Sequence, residues 1–227
     1  MAILCMFRTV YGVSRGGSTH TPLRLAFVTG LASRKPRGRS HLDRYTDAAG
    51  TYAFHTYDRL YGPDGPLTPA DVLLANLMSL RLGWKDVIPL FADGDGDAQA
   101  LRLALDQALE DLTGVPSFEN HDSPAALEES MHSLALSNIA AQVVTGWTEV
   151  TVSKVLHRRR PHAVPIIDSR VRQFYGVRKP ARIRCLLWED IRDNESWLSD
   201  LAAQYDTPDG RPLSLLRCAD ILIWMGD

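Results

Sequence analysis

From about position 68 onward, apolar residues recur at spacings of three and four, and the strict alternation of a half-buried strand is rare. Val72, Leu73, Leu74, Leu77, Met78, Leu80 and Leu82 predict a helix that is apolar on most sides and therefore largely buried. Its start is written in Thr68-Pro69-Ala70-Asp71. That segment supplies a hydroxyl N-cap, a proline where no N–H is needed, and a carboxylate at the positive end of the helix dipole. The same spacing predicts helices over residues 84–91, 98–112, 150–156, 169–175, 186–191, 196–205 and 213–225. A longer helix is expected after Ser123-Pro124, carrying Leu127, Met131, Leu134, Leu136, Ile139 and Val143. No internal repeat is visible. The fold class is all-α, with one helical domain expected over residues 43–227.

Residues 1–42 read differently. Gly16-Gly17, Ser and Thr clusters and the basic run from Arg34 to Arg39 interrupt any apolar period. They predict a mobile, basic N-terminal extension, with a short strand over residues 5–13 as the alternative. Tyr52, Phe54, Tyr57 and Tyr61 then form an aromatic cluster, ended by the turn-rich Gly62-Pro63-Asp64-Gly65-Pro66.

The chain has 227 residues, 45% of them hydrophobic, enough for a real core. No uncharged apolar run has the length that crosses a bilayer, and the stretch before Arg8 is too short for a signal-peptide core. The three cysteines, Cys5, Cys185 and Cys218, form no C-x-x-C pair, which excludes a four-cysteine cluster or zinc site and suits a reducing, cytoplasmic location. No cofactor, metal or membrane partner is expected, and oligomeric state is left open. The net charge of −2 is uninformative, but its distribution is not. Eleven acids and one base lie between Asp93 and Glu149, whereas ten Lys or Arg and one acid, Asp168, lie between Lys154 and Arg184. An anionic partner is expected at the basic pole.

The candidate chemistry lies in that pole. Gly146-Trp147-Thr148 leads into a short helix with Lys154 and the run Arg158-Arg159-Arg160 at its end. An apolar extended segment, Val164-Pro165-Ile166-Ile167, then delivers Asp168 to the start of a helix that carries Arg170 and Arg172. This order resembles the core of helix-hairpin-helix DNA glycosylases over about thirty residues. The resemblance implies an all-α glycosylase-like fold and a hairpin that grips a DNA phosphate through backbone N–H groups. It also implies a catalytic carboxylate at Asp168. Thr148 stands where the second hairpin glycine is expected. Val150 replaces the Schiff-base lysine, so the implied activity is monofunctional base excision without strand cleavage. Segments 67–71, 152–161, 165–168 and 216–225 also resemble an actinobacterial family known as domain-of-unknown-function family 6308, which implies kinship and no activity.

Chemically, hydrolysis of an N-glycosidic bond builds oxocarbenium charge that a carboxylate can stabilise, while cations hold the phosphates. The DNA-binding set is accordingly Gly146, Trp147, Thr148, Lys154, Arg158, Arg159, Arg160, Arg170 and Arg172, with Asp168 catalytic. Two rival readings stand beside this one: a non-catalytic DNA-binding module, and a small-molecule enzyme for a nucleoside or nucleotide. For single residues the structural alternatives are plain. Asp168 can be an N-cap in an arginine network, and the basic run can be a solvated helix end. Asp93, Asp95 and Asp97 fit an acidic helix start better than a calcium loop, because Ala104 stands at the twelfth position. Trp84, Trp188, Trp197 and Trp224 are expected in the core, Trp147 is held open as a base platform, and Arg217 with Asp220 is expected as an i, i+3 pair.

Overall fold

The computed structural model describes residues 30–60 and 65–226, and all of its regular structure is helical. In chain order the helices are α1 (Gly38–Thr46), α2 (Phe54–Tyr57), α3 (Pro69–Leu74), α4 (Trp84–Phe91), α5 (Asp97–Asp111) and α6 (Pro124–Ser130). They continue as α7 (His132–Ala141), α8 (Glu149–Arg159), α9 (Ser169–Tyr175), α10 (Pro180–Asp193), α11 (Glu195–Ala202) and α12 (Leu215–Met225). Short 3-10 turns cover Leu31–Arg37, Ala75–Met78 and Phe118–Asn120. Among the described residues β-pairing is limited to a single antiparallel bridge between Asp206 and Pro212. None of their helices is long and apolar enough to cross a membrane.

Two helices carry the interior. Residues Leu216 to Ile223 of α12 are all buried, and α12 packs against α1, α9, α10 and α11. Residues Thr151 to Arg159 of α8 are likewise buried, enclosed by α3, α5 and α7. One apolar cluster runs from Leu31 and Leu42 through Leu101, Leu105, Val152 and Val155 to Ile221 and Leu222, so a single core joins both.

The expected start of α3 is present: Thr68 and Asp71 cap each other reciprocally, with Pro69 in the first turn. The buried helix expected through Leu82 is not. It passes into a 3-10 turn after Leu74 and stops at Ser79, which takes a left-handed φ of 64°. Asn76 forces this, because its side chain bonds both N–H and C=O of Leu82 and folds the chain back. Leu73 and Leu77 are left 48% and 43% exposed. The long helix expected after Ser123 is also divided. At buried Met131 the backbone leaves helical geometry, which lets α6 pack on α10 and α7 pack on α5.

Residues 30–42, expected within the mobile extension, are described and pack on the rest of the chain. The Leu31 amide donates to both oxygens of Asp190, at 3.0 and 2.8 Å, and Leu31 and Leu42 are buried. One apolar residue followed by a basic run has no helical period, and the anchor lies 159 positions away. The strand considered over residues 5–13 lies outside the described residues.

Candidate functional site

Helix α8 is capped by Thr148, whose Oγ1 accepts the Thr151 amide at 3.3 Å. Enclosure on three sides leaves its cations nowhere to go but inward. Lys154, only 5% exposed, donates from Nζ to the Met78 carbonyl at 2.7 Å and lies 3.4 Å from Asp168 Oδ2. Arg158 Nη1 donates to Asp71 Oδ1 at 2.5 Å, and Arg159 Nη1 to Asp71 Oδ2 at 3.0 Å. Their Nη2 atoms reach the carbonyls of Arg59 and Gly65, at 3.0 and 3.1 Å. Arg160 Nη2 donates to the Leu109 carbonyl at 2.9 Å and to Thr113 Oγ1 at 2.7 Å. The sequence reading placed these four side chains on a phosphate-binding surface. In the fold they are buried clamps that tie α8 to α3, to α5 and to the loop after α2.

Residues 142–148 connect α7 to α8. Gly146 has φ 83°, and a methyl there would collide with the Asp86 carboxylate of α4. Trp147 is 5% exposed and donates Nε1–H to the Asp86 carbonyl at 3.1 Å, so it anchors the turn to α4 and offers no stacking face. Trp84, expected in the core, is instead 68% exposed. It stands on the outer side of α4, whose inner side is taken by Val87 and Leu90.

Asp168 is the N-cap of α9. Its Oδ1 accepts the amides of Arg170 and Val171 at 3.0 and 3.2 Å, and its Oδ2 faces Lys154. The Arg170 guanidinium turns away, over the Trp224 ring at 4.7 Å and onto the Trp224 carbonyl at 2.9 Å. Arg172 links α9 to the start of α8 through Glu149 at 3.1 Å. The expected site is therefore divided. Asp168 and Lys154 are brought together, Arg172 lies beside the start of α8, and Arg158 to Arg160 belong to the interior.

A polar centre that the sequence does not announce lies beneath α12. Arg217 is 1% exposed and donates from Nε and Nη2 to the two oxygens of Asp58, at 2.7 and 2.8 Å. Its Nη1 pairs with Asp220, its Nη2 also reaches Tyr45 Oη at 2.9 Å, and the rings of Tyr45 and Tyr57 flank it at 5.3 Å. Burial works against the Arg217 charge, but Asp58, Tyr45 and Asp220 together outweigh it and hold the proton above the ordinary arginine range. Asp220 is pushed up to about 6 by burial, against the pull of Arg217. The i, i+3 pair of Arg217 with Asp220 follows from the sequence. Asp58, 159 residues from Arg217, does not.

Beside this centre lies a cavity of about 240 Å³, walled by Tyr57, Asp58, His157, His162, Arg211 and Arg217 among others. His157 Nδ1 is 2.6 Å from the Val164 carbonyl, while its Nε2 is buried with no hydrogen-bond partner. Burial, helped by the positive charge of Arg217, lowers the imidazole to about 3. A second, more open cavity of about 520 Å³ is lined by Thr56, Asp71, Leu73, Leu77 and Arg158. Asp168 lines neither.

The cations that do meet solvent lie further along. Between Asp168 and Glu189 the sequence has six arginines and lysines and no acid. Arg184 is buried against Glu128, with Nε and Nη2 at 2.6 and 2.5 Å from its carboxylate. Arg170, Arg178, Lys179 and Arg182 are exposed and Arg172 is half-buried. Against known proteins, residues 39–227 match the family described as "Family of unknown function (DUF6308)". Neither the curated proteins nor the solved structures hold a match to the chain.

Proposed function

The chain belongs to the family of unknown function DUF6308, whose name carries no activity, and we propose from the geometry itself that it binds nucleic acid, DNA first, as a module on a helix-hairpin-helix-like scaffold. The observation that carries the reading is the acid-free stretch from Ser169 to Trp188, where five of six cations keep access to solvent. Arg172, one of these cations, pairs with Glu149 at 3.1 Å and so ties α9 to the start of α8. Each phosphate neutralised releases counterions, which makes affinity fall steeply with salt.

Duplex binding measured from low to high salt tests this. Replacing Arg178, Lys179 and Arg182 together by Ala should reduce the slope of log affinity against log salt by roughly two to three. An unchanged slope removes this surface as the binding site.

A second reading, monofunctional N-glycosidic hydrolysis at Asp168, is favoured by one contact. Among the described residues Oδ2 meets Lys154, at 3.4 Å, while Oδ1 serves as the cap. The binding module stands ahead of it because this carboxylate is buried and serves as the N-cap of α9. Formation of abasic sites by the wild type, reduced about 10²-fold or more in Asp168→Asn, would reverse that order. With Val150 at the Schiff-base position, borohydride should trap no adduct.

A further inference from the structure

We infer that Trp84, flanked by Arg81 and Lys85, is a stacking platform for an unpaired base, so that the preferred partner is a nucleic acid with a single-stranded stretch. The inference rests on the nucleic-acid reading and names the class of strand that this part of the surface takes.

The five tryptophans meet different fates. Trp147 is buried, and Trp188, Trp197 and Trp224 pack against the core, whereas Trp84 is 68% exposed. Trp84 opens α4, whose inward positions go to Val87 and Leu90, and its indole makes no hydrogen bond among the described residues. A large flat apolar ring is thus held at the surface by a helix that does not use it for packing.

The charges beside the ring choose the partner. Lys85 Nζ stands 5.3 Å from the ring centroid, over one face, and the exposure of the residue leaves the other face open. Arg81 and Lys85 are exposed, and neither meets an acid among the described residues. The acid in the first turn of α4, Asp86, is already engaged. Its Oδ2 accepts the Gly83 amide at 2.7 Å, and its carboxylate lies against Gly146. The acidic run begins at Asp93, about 12 Å further along α4 by helical rise. That exceeds the Debye length of about 8 Å at physiological salt. An aromatic face between two unmatched cations complements a base with phosphates on either side. An apolar protein partner would bury those cations without a counter-charge. Bases in a duplex stack on one another, so the platform selects unpaired ones.

The test uses the whole chain and three labelled probes, read by fluorescence anisotropy. They are a short oligothymidylate, an abasic strand of the same length and phosphate count, and a blunt duplex. The wild type should bind oligothymidylate about tenfold more tightly than the abasic strand. Trp84→Ala should erase that preference and leave duplex affinity within about twofold, while Trp84→Phe should keep part of it. Arg81→Ala combined with Lys85→Ala should lower the salt slope on both single strands by about one. Equal binding of the two strands by the wild type overturns the stacking site and leaves the duplex reading in place. An equal loss on oligothymidylate and duplex in Trp84→Ala overturns it too, since a duplex offers no free base face. A preference that survives in Trp84→Ala, with self-association that this variant abolishes, assigns the ring to a contact between copies instead. Failure to bind any of the three probes removes the nucleic-acid reading itself, and the stacking site with it.

Discussion

Two basic runs lie within thirty residues of each other and meet opposite fates. Arg158 to Arg160, at the end of α8, are at most 9% exposed, whereas Arg170, Arg178, Lys179 and Arg182 face solvent. Composition does not separate them. What does is whether the helix has a free side. In α9 and α10, Val171, Phe174, Ile183, Leu187 and Ile191 point inward and the cations occupy what remains. Helix α8 is packed by α3, α5, α7 and the 3-10 turn at Ala75–Met78, and the small residues Thr151 and Ser153 allow them to close in. Its arginines then neutralise Asp71 and take up carbonyls that the loops leave open. Dense positive charge in a sequence is therefore a sign of phosphate binding only after the helix has been shown to keep an outer face.

The sharpest way to break this comparison is to remove the acid that receives the first run. Asp71→Asn leaves Arg158 and Arg159 buried beside a neutral amide and weakens the reciprocal cap with Thr68. Breaking a buried ion pair on one side costs about 3 to 5 kcal/mol. Chemical denaturation should therefore show a large loss with an unchanged m-value. A loss below about 1 kcal/mol would show that these arginines relax to solvent and that the two runs do not differ in kind.

The parts of the fold legible in the sequence were those whose cause is local. The limits of α4 and α9, the cap of α3 and the glycine turn that leads into α8 all follow from residues within a few positions. The unforeseen parts depend on distant partners. Nothing near Arg158 announces Asp71, nothing near Leu31 announces Asp190, and Tyr57 with Asp58, His157 and Arg211 come from three distant stretches of chain before the fold gathers them round one cavity. The cap at Asp168 was legible as a local alternative to catalysis, and that cap is formed. Its neighbour Lys154 was legible only as a charge.

A second test, smaller in effect, asks how the interior responds to acid. Buried His157 stays neutral to about 3, while in the unfolded chain it protonates near 6.5. Between those values the unfolded chain holds more protons, so the contribution of His157 is fully present above 6.5 and is lost as pH falls towards 3. Asp220 runs the other way. Its folded value of about 6 lies above the unfolded 3.8, so its contribution is present below 3.8 and is lost as pH rises through 6. The two nearly cancel over the shared window, and the wild-type profile should be shallow there. His157→Phe removes one partner. Relative to wild type, the variant should gain about 2 kcal/mol between pH 7 and pH 5, at about 1.4 kcal/mol per unit below 6.5. Denaturant midpoints at the two pH values measure it. Parallel profiles would mean that the imidazole titrates normally and that the cavity wall is open to water.

The smallest expected effect bears on the outer run and completes the comparison. Arg178, Lys179 and Arg182 are exposed, and Lys179 stands at the N-cap of α10 without a side-chain hydrogen bond. A cation there opposes the helix dipole, so its loss should be neutral or stabilising by a few tenths of a kcal/mol. Exposed positions of this kind change stability by about 0.5 kcal/mol or less each. The triple Ala variant should therefore unfold within about 1 kcal/mol of wild type while its duplex affinity drops and its salt slope flattens. Stability and binding would then separate cleanly, with α8 cations serving the fold and α9–α10 cations serving a partner. If the triple variant instead loses 2 kcal/mol or more, these side chains are clamps like their neighbours. The solvent-facing run would then hold no more promise as a phosphate surface than the buried one.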